Sequence, residues 1–147
     1  MTLKQSFAWW CFSNRGIDDD TLLREAASIG YDAVELIGEE LFDKARSYGL
    51  MIASHGGHQS IAHGLNELSE HDRIEAEIRH NLTLAQNYEI PNLIAFSGER
   101  QEGMSEAEGI DNTVLGLRRV AKAADQRRRL HRRQHRPKIQ LHAQPAD

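Results

Sequence analysis

Seven side chains in this sequence have the types and spacings that chemistry on a small polar substrate needs. Glu35 sits in "DAVELIG", where Val34 and Leu36 share one face of an extended segment and Ala33, Glu35 and Ile37 share the other. If the aliphatic pair packs on helices, the Glu35 carboxylate points the other way and can hold a sugar hydroxyl or a proton. The alternative is an acid paired with a neighbouring arginine or facing solvent. His55 and His58 stand in "SHGGH". A His-x-x-His pair can ligate a metal, but a catalytic zinc site needs at least a third protein ligand and none is local. A neutral imidazole can instead donate and accept one hydrogen bond each to a substrate carbonyl or hydroxyl, or be a loop histidine held by backbone carbonyls. Trp9 and Trp10 are adjacent. In a strand they point to opposite faces, one beneath a helix and one toward a binding mouth as a flat apolar wall. Ser97 and Arg100 lie in "FSGER"; a guanidinium there can take a carboxylate through two parallel hydrogen bonds, or simply be solvated. Cys11 has no activating partner nearby in sequence and reads as a small buried residue. His63, His71 and His80 read as surface residues.

These side chains need elements to hold them. "SFAWWCF" (Ser6–Phe12) reads as a first strand, followed by turn residues in "SNRGIDDD". "DTLLREAASIG" places Leu22, Leu23, Ala26 and Ala27 on one helical face, with Asp20 as N-cap and Gly30 at the C′ position. "DAVELIG" is a second strand, "EELFDKARSYG" a second helix closed by Gly49, and "LMIASHGGH" a third strand running into a Gly-Gly loop. Ser69 and Asp72 have capping-box spacing before a longer helix whose buried stripe is Ile74, Ile78, Leu82 and Ala85. "NLIAFSGER" is a fourth strand. Ser105 and Glu108 cap a fourth helix, and Ile110, Val114, Leu117, Ala121 and Ala124 mark its expected buried face.

Four β-α units in a row predict an α/β fold with a parallel sheet and right-handed crossovers. No G-x-G-x-x-G follows the first strand and no G-x-x-x-x-G-K-[ST] occurs, so the nucleotide-binding open sheet loses its main support. A (β/α)8 barrel takes about 250 residues, and this chain of 147 has four of the eight units. No run approaches the length of a membrane span. One cysteine excludes an internal disulfide and suits a reducing compartment. The expectation is a soluble, cytoplasmic protein with no membrane partner.

The stretches "FAWWCF" (7–12), "IGYDAVEL" (29–36), "GGHQSIAHGLN" (56–66), "HDRIEAEIRHNLTLAQNYEIPNLIAFSGER" (71–100) and "GMSEAEGIDNTVLGLRRVAKAA" (103–124) together resemble the hydroxypyruvate isomerase family. That family lies within the xylose-isomerase-like TIM barrels, which also include endonuclease IV. The resemblance implies a half TIM barrel over residues 1–124 and binding of a small sugar-like hydroxy acid, with His58 among the contacts. It implies isomerisation of hydroxypyruvate to tartronate semialdehyde in the family, through carboxylates on strands five and eight and, in many members, a divalent metal. Those later strands have no counterpart here. The expectation is therefore a chain without its own cofactor, without catalytic residues, and with weak or absent turnover. Open barrel edges predict self-association.

Composition changes at the end. Residues 1–124 carry 20 acidic and 11 basic side chains, whereas residues 125–147 carry 7 basic and 2 acidic. Rich in Arg, His, Gln and Pro and lacking Glu and Gly, this basic tail resembles a GC-rich frame translated out of register and is expected to be disordered. Arg127, Arg128, Arg129, Arg132, Arg133 and Arg136 can contact phosphates. No aromatic residue accompanies them for base stacking, so nucleic acid is not the expected partner.

Overall fold

The computed structural model describes residues 3–134, with side chains as far as residue 125. Four parallel strands, β1 (Ser6–Ala8), β2 (Ala33–Glu35), β3 (Met51–Gly56) and β4 (Asn92–Ile94), form one sheet in the order β1-β2-β3-β4. Between and after them run α1 (Asp19–Ile29), α2 (Phe42–Ser47), α3 (His71–Tyr88) and α4 (Glu106–Gln134). The strand order follows the chain without the reversal that marks a doubly wound sheet. Right-handed crossovers into such a sheet place every connecting helix on one face.

That face holds the core. Phe7, Val34 and Ile52 are register partners on adjacent strands. They pack with Leu23 and Ala26 of α1, Phe42 and Ala45 of α2, and Leu84 and Ala85 of α3. Fully burying one such large apolar side chain stabilises the fold by about 1.5–3 kcal/mol. A smaller cluster of Leu65, Ile74, Ile78 and Val120 seats α4 on α3. Arg119 of α4 reinforces the contact at its rim, bonding Asp72 at 2.5 Å and Glu75 at 2.8 Å.

The alternation of strands and helices matches the sequence expectation, and several local expectations fail for identifiable reasons. The first strand stops at Ala8, because Trp9–Cys11 form a 3-10 turn closed by the Phe12 amide on the Trp9 carbonyl. Trp9 and Trp10 therefore do not alternate across a strand. The N-cap of α1 is Asp18, which accepts from the Thr21 amide at 2.9 Å. Asp20 is instead held by the Tyr48 hydroxyl and Lys44, and the Tyr48 bond is the main reason its carboxyl lies below the usual carboxylate range. Gly30 ends α1 in the left-handed conformation, as expected. Ser69 caps nothing: it lies inside a 3-10 turn (Leu68–Glu70) that runs straight into α3. Ser105 does cap α4, accepting from the Glu108 amide at 3.2 Å.

The largest departure concerns α4. Its buried face is Asn112, Gly116, Val120 and Ala123, set against α3. Gly116 is required there, since a Cβ would press on Leu65 and on the His71 ring. The expected stripe looks elsewhere: Ile110 is 55 % exposed, Val114 39 % and Leu117 43 %. The backbone of α4 continues without a break past residue 124 to Gln134, so the change in composition does not coincide with the end of that helix. The expected disorder of the tail does not hold for residues 125–134, whose backbone is helical; residues 135–147, and the arginine side chains on which the phosphate-binding expectation rests, lie outside the described ones.

Candidate functional site

Glu35 lies on the sheet face opposite the core, at the carboxyl end of β2. Its carboxylate accepts from Ser6 Oγ of β1 at 2.5 Å and from Ser54 Oγ of β3 at 3.1 Å. The register places Ala8, Glu35 and Ser54 side by side, with an irregularity between Val34 and Glu35 that brings Ser54 opposite the carboxylate. Leu36, at φ 55°, then turns the chain away. The result is a half-buried carboxylate braced by two hydroxyls, a group able to accept from a ligand hydroxyl that displaces either serine.

The two histidines of the third strand part company. His58 is buried, and both ring nitrogens are engaged: Nε2 accepts from the Phe96 amide at 2.9 Å and Nδ1 donates to the Gln59 carbonyl at 2.8 Å. The ring also meets Phe96 edge-on. His58 is thus a clasp between the loops that follow β3 and β4. His55 turns toward the helix layer, edge-on to Phe42 of α2, and its buried Nδ1 has no hydrogen-bond partner. Burial holds its pKa below the ordinary imidazole value, opposed by the charge of Glu39 and the backbone of Ile37. A cleft of about 530 Å³ opens beside it, lined by Glu39, Glu77, His80 and Asn81.

The loop after β3 is tied down on both sides. Arg73 bonds Glu70 at 2.6 Å and Glu77 at 2.9 Å and donates to the carbonyls of Gln59 and His63. Burial works against ionisation of Glu77, but the Gln59 amide and Arg73 outweigh it and hold its carboxyl below the usual range. On the other side the amides of Leu65 and Asn66 donate to Phe96 and Ser97, and the Glu99 amide donates to Ala62. Gly64 permits this close approach, because a Cβ there would run into the backbone of Ser97 and Gly98.

Ser97 and Arg100 open onto a separate crevice of about 410 Å³ between this double loop and the first turns of α4. Arg100 donates from Nε to the Met104 carbonyl at 3.0 Å. Trp9 is buried in the core beside Phe7, and Trp10 is 67 % exposed. The side chains singled out from the sequence therefore occupy distinct places: Glu35 on the open sheet face, His55 in the helix layer, His58 in the loop clasp, Ser97 and Arg100 at α4. His71 is a correction, since it is buried and its Nε2 donates to the Leu65 carbonyl at 2.8 Å. Sequence reasoning missed Asn66, the knot of the double loop, whose backbone and side chain bond Ser97, Glu99 and Asn112. Nothing in "HGLNE" announces that role beyond a glycine two residues earlier.

Among the described residues no three His, Cys, Asp or Glu side chains come together as a metal would require, and no helix is long and apolar enough to cross a membrane. The chain matches no family model, no curated protein and no solved structure.

Proposed function

We propose that these four units are one side of a (β/α)8 barrel of the hydroxypyruvate isomerase kind, and that they recognise a small hydroxy-carbonyl acid without isomerising it. The observation that carries this reading is the Glu35 carboxylate, the last residue of β2, braced by the hydroxyls of Ser6 from β1 and Ser54 from β3 on the sheet face opposite the core. Barrel enzymes build their sites at that end of the strands.

Moving a proton between adjacent carbons requires a base at the α-carbon, an acid at the carbonyl oxygen, and stabilisation of the enediolate between them. Glu35 can serve one of these needs. Its hydrogen bonds among the described residues run only to serine hydroxyls, and His58 has both nitrogens committed to backbone. In the resembled family the remaining groups come from later strands. Glu35 is then a hydroxyl acceptor rather than half of a working acid–base pair.

The test is titration of the purified chain with hydroxypyruvate, followed by NMR, alongside Glu35→Gln. Saturable binding that weakens about tenfold in the variant, with no tartronate semialdehyde formed, is the expected result. Turnover by the chain alone, or equal binding by Glu35→Gln, would overturn the assignment. The same sheet face, with the edges of β1 and β4, which pair with no further strand among the described residues, and Met51 at the surface, also suits a second copy of this chain.

A further inference from the structure

An apolar groove of about 240 Å³ runs between the outer edge of β4 and α4. Its walls are Leu93 and Ala95 from the β4 segment, Ile78 from α3, and Leu117, Ala121 and Ala124 from α4. Those three α4 residues belong to the stripe that helical period marks for burial, and Leu117 is 43 % exposed because α3 covers another side of the helix. On the sheet, β4 pairs with β3 and with no further strand among the described residues. The Ile94 carbonyl accepts from the Gly57 amide at 2.7 Å on the β3 side. Successive residues of a strand turn their backbone groups to opposite sides, so those of Leu93 and Ala95 are directed to the outer edge. An apolar groove beside an unpaired parallel edge suits an extended segment with alternating apolar side chains.

The chain contains such a segment directly after α4. Residues 135–147 lie outside the described ones. Within them "PKIQLHAQP" puts Ile139, Leu141 and Ala143 on one side of an extended backbone, and Lys138, Gln140 and His142 on the other. Pro137 and Pro145, which have no N–H to give to a ladder, bound the run. A strand that follows α4 by a right-handed parallel crossover continues the order β1-β2-β3-β4 at this same edge. The lengths also agree. From Ala124 to Gln134 the helix covers about 15 Å, and an extended chain from Gln134 to Ile139 covers about 16 Å. Ile139 therefore returns to the level of Ala124, and Leu141 to that of Ala121.

We propose that residues 138–143 form a fifth parallel strand on the outer edge of β4, with Ile139 and Leu141 filling the groove. Joined to α4 by a short connection, this segment meets the edge at a far higher effective concentration than a second copy of the chain does. The change in composition after residue 124 thus spares the alternation that a strand needs. Glu35 takes no part, so this proposal stands or falls apart from the hydroxy-acid reading.

The test is NMR on the full 147-residue chain. The expected result is methyl contacts from Leu141 to Leu117 and Leu93, with slowed hydrogen exchange at the amides of residues 139–143. Ile139→Asp and Leu141→Asp should each melt about 5–10 °C lower than the parent, whereas Gln140→Glu, on the other side of the strand, should melt with it. Mixing isotope-labelled with unlabelled chains separates the two occupants. Contacts within one chain uphold the proposal; contacts found only between chains assign the groove to a second copy and overturn it. It is equally overturned if residues 138–143 exchange at the rate of an unstructured chain, or if both aspartate variants melt with the parent.

Discussion

Replacing His58 by phenylalanine separates a structural role from a ligand-binding one. The substitution keeps an aromatic ring of similar size against Phe96 and removes both nitrogens. The Gln59 carbonyl still receives Arg73 Nη1 at 3.3 Å, so it retains a partner. The Phe96 amide does not, because Nε2 of His58 at 2.9 Å is the acceptor it has. Leaving this part-buried donor unpaired costs about 1–3 kcal/mol. With about 2 kcal/mol as the central value, and a shift of about 4 °C per kcal/mol for a chain of this size, His58→Phe should melt about 8 °C lower. His63→Phe is the control: that ring is exposed and bonds only Glu67, so less than about 0.5 kcal/mol is expected. Thermal and urea melts followed by circular dichroism provide the measurement. If His58→Phe melts with the parent chain yet loses hydroxypyruvate binding, the ring is a ligand contact and the clasp assignment is wrong.

Because burial lowers the pKa of His55, the folded state favours the neutral ring, whereas the unfolded chain takes up a proton near 6.5. Its contribution to stability is complete above that value and is lost as pH falls through the folded-state pKa; the urea midpoint should drop more steeply on acidification for the parent than for His55→Phe, and parallel slopes would refute this. Self-association through the uncovered sheet face predicts a concentration-dependent mass in light scattering, reduced by Met51→Lys; a monomer at every concentration would remove the second-copy alternative.

The alternation of strand and helix was legible in the sequence because it rests on local physics. Gly30 ends α1 through the left-handed geometry only glycine adopts without strain, Ser105 caps α4 through a contact three residues long, and the Ile74, Ile78 and Ala85 stripe of α3 follows from helical period alone. The two-residue period of a strand sets Glu35 opposite Val34, which is in the core, but the period ends there: Leu36 at φ 55° breaks it, and Ile37, expected on the Glu35 face, joins Val34 in the core. What could not be read from the chain was anything set by a partner distant in sequence. The Phe96 amide that occupies His58 lies 38 residues away, and the face of α4 that is buried was chosen by Leu65 and His71, which demand a glycine at 116.

Periodicity states that a helix has an apolar stripe and is silent on which neighbour will cover it. The α4 stripe of Ile110, Val114 and Leu117 illustrates the difference, since packing on α3 turned another side inward. Asn66 illustrates it at a single atom. Its type allows four hydrogen bonds, but only the approach of residues 97–99 and 112 determines that its Nδ2 is taken by Glu99, its carbonyl by Asn112, and its Oδ1 left buried without a partner. Residue types and their spacing determined the elements and which groups were available for chemistry; the tertiary structure decided which of those groups were used up in holding the loops together, because hydrogen-bond satisfaction depends on who arrives, not on who is present.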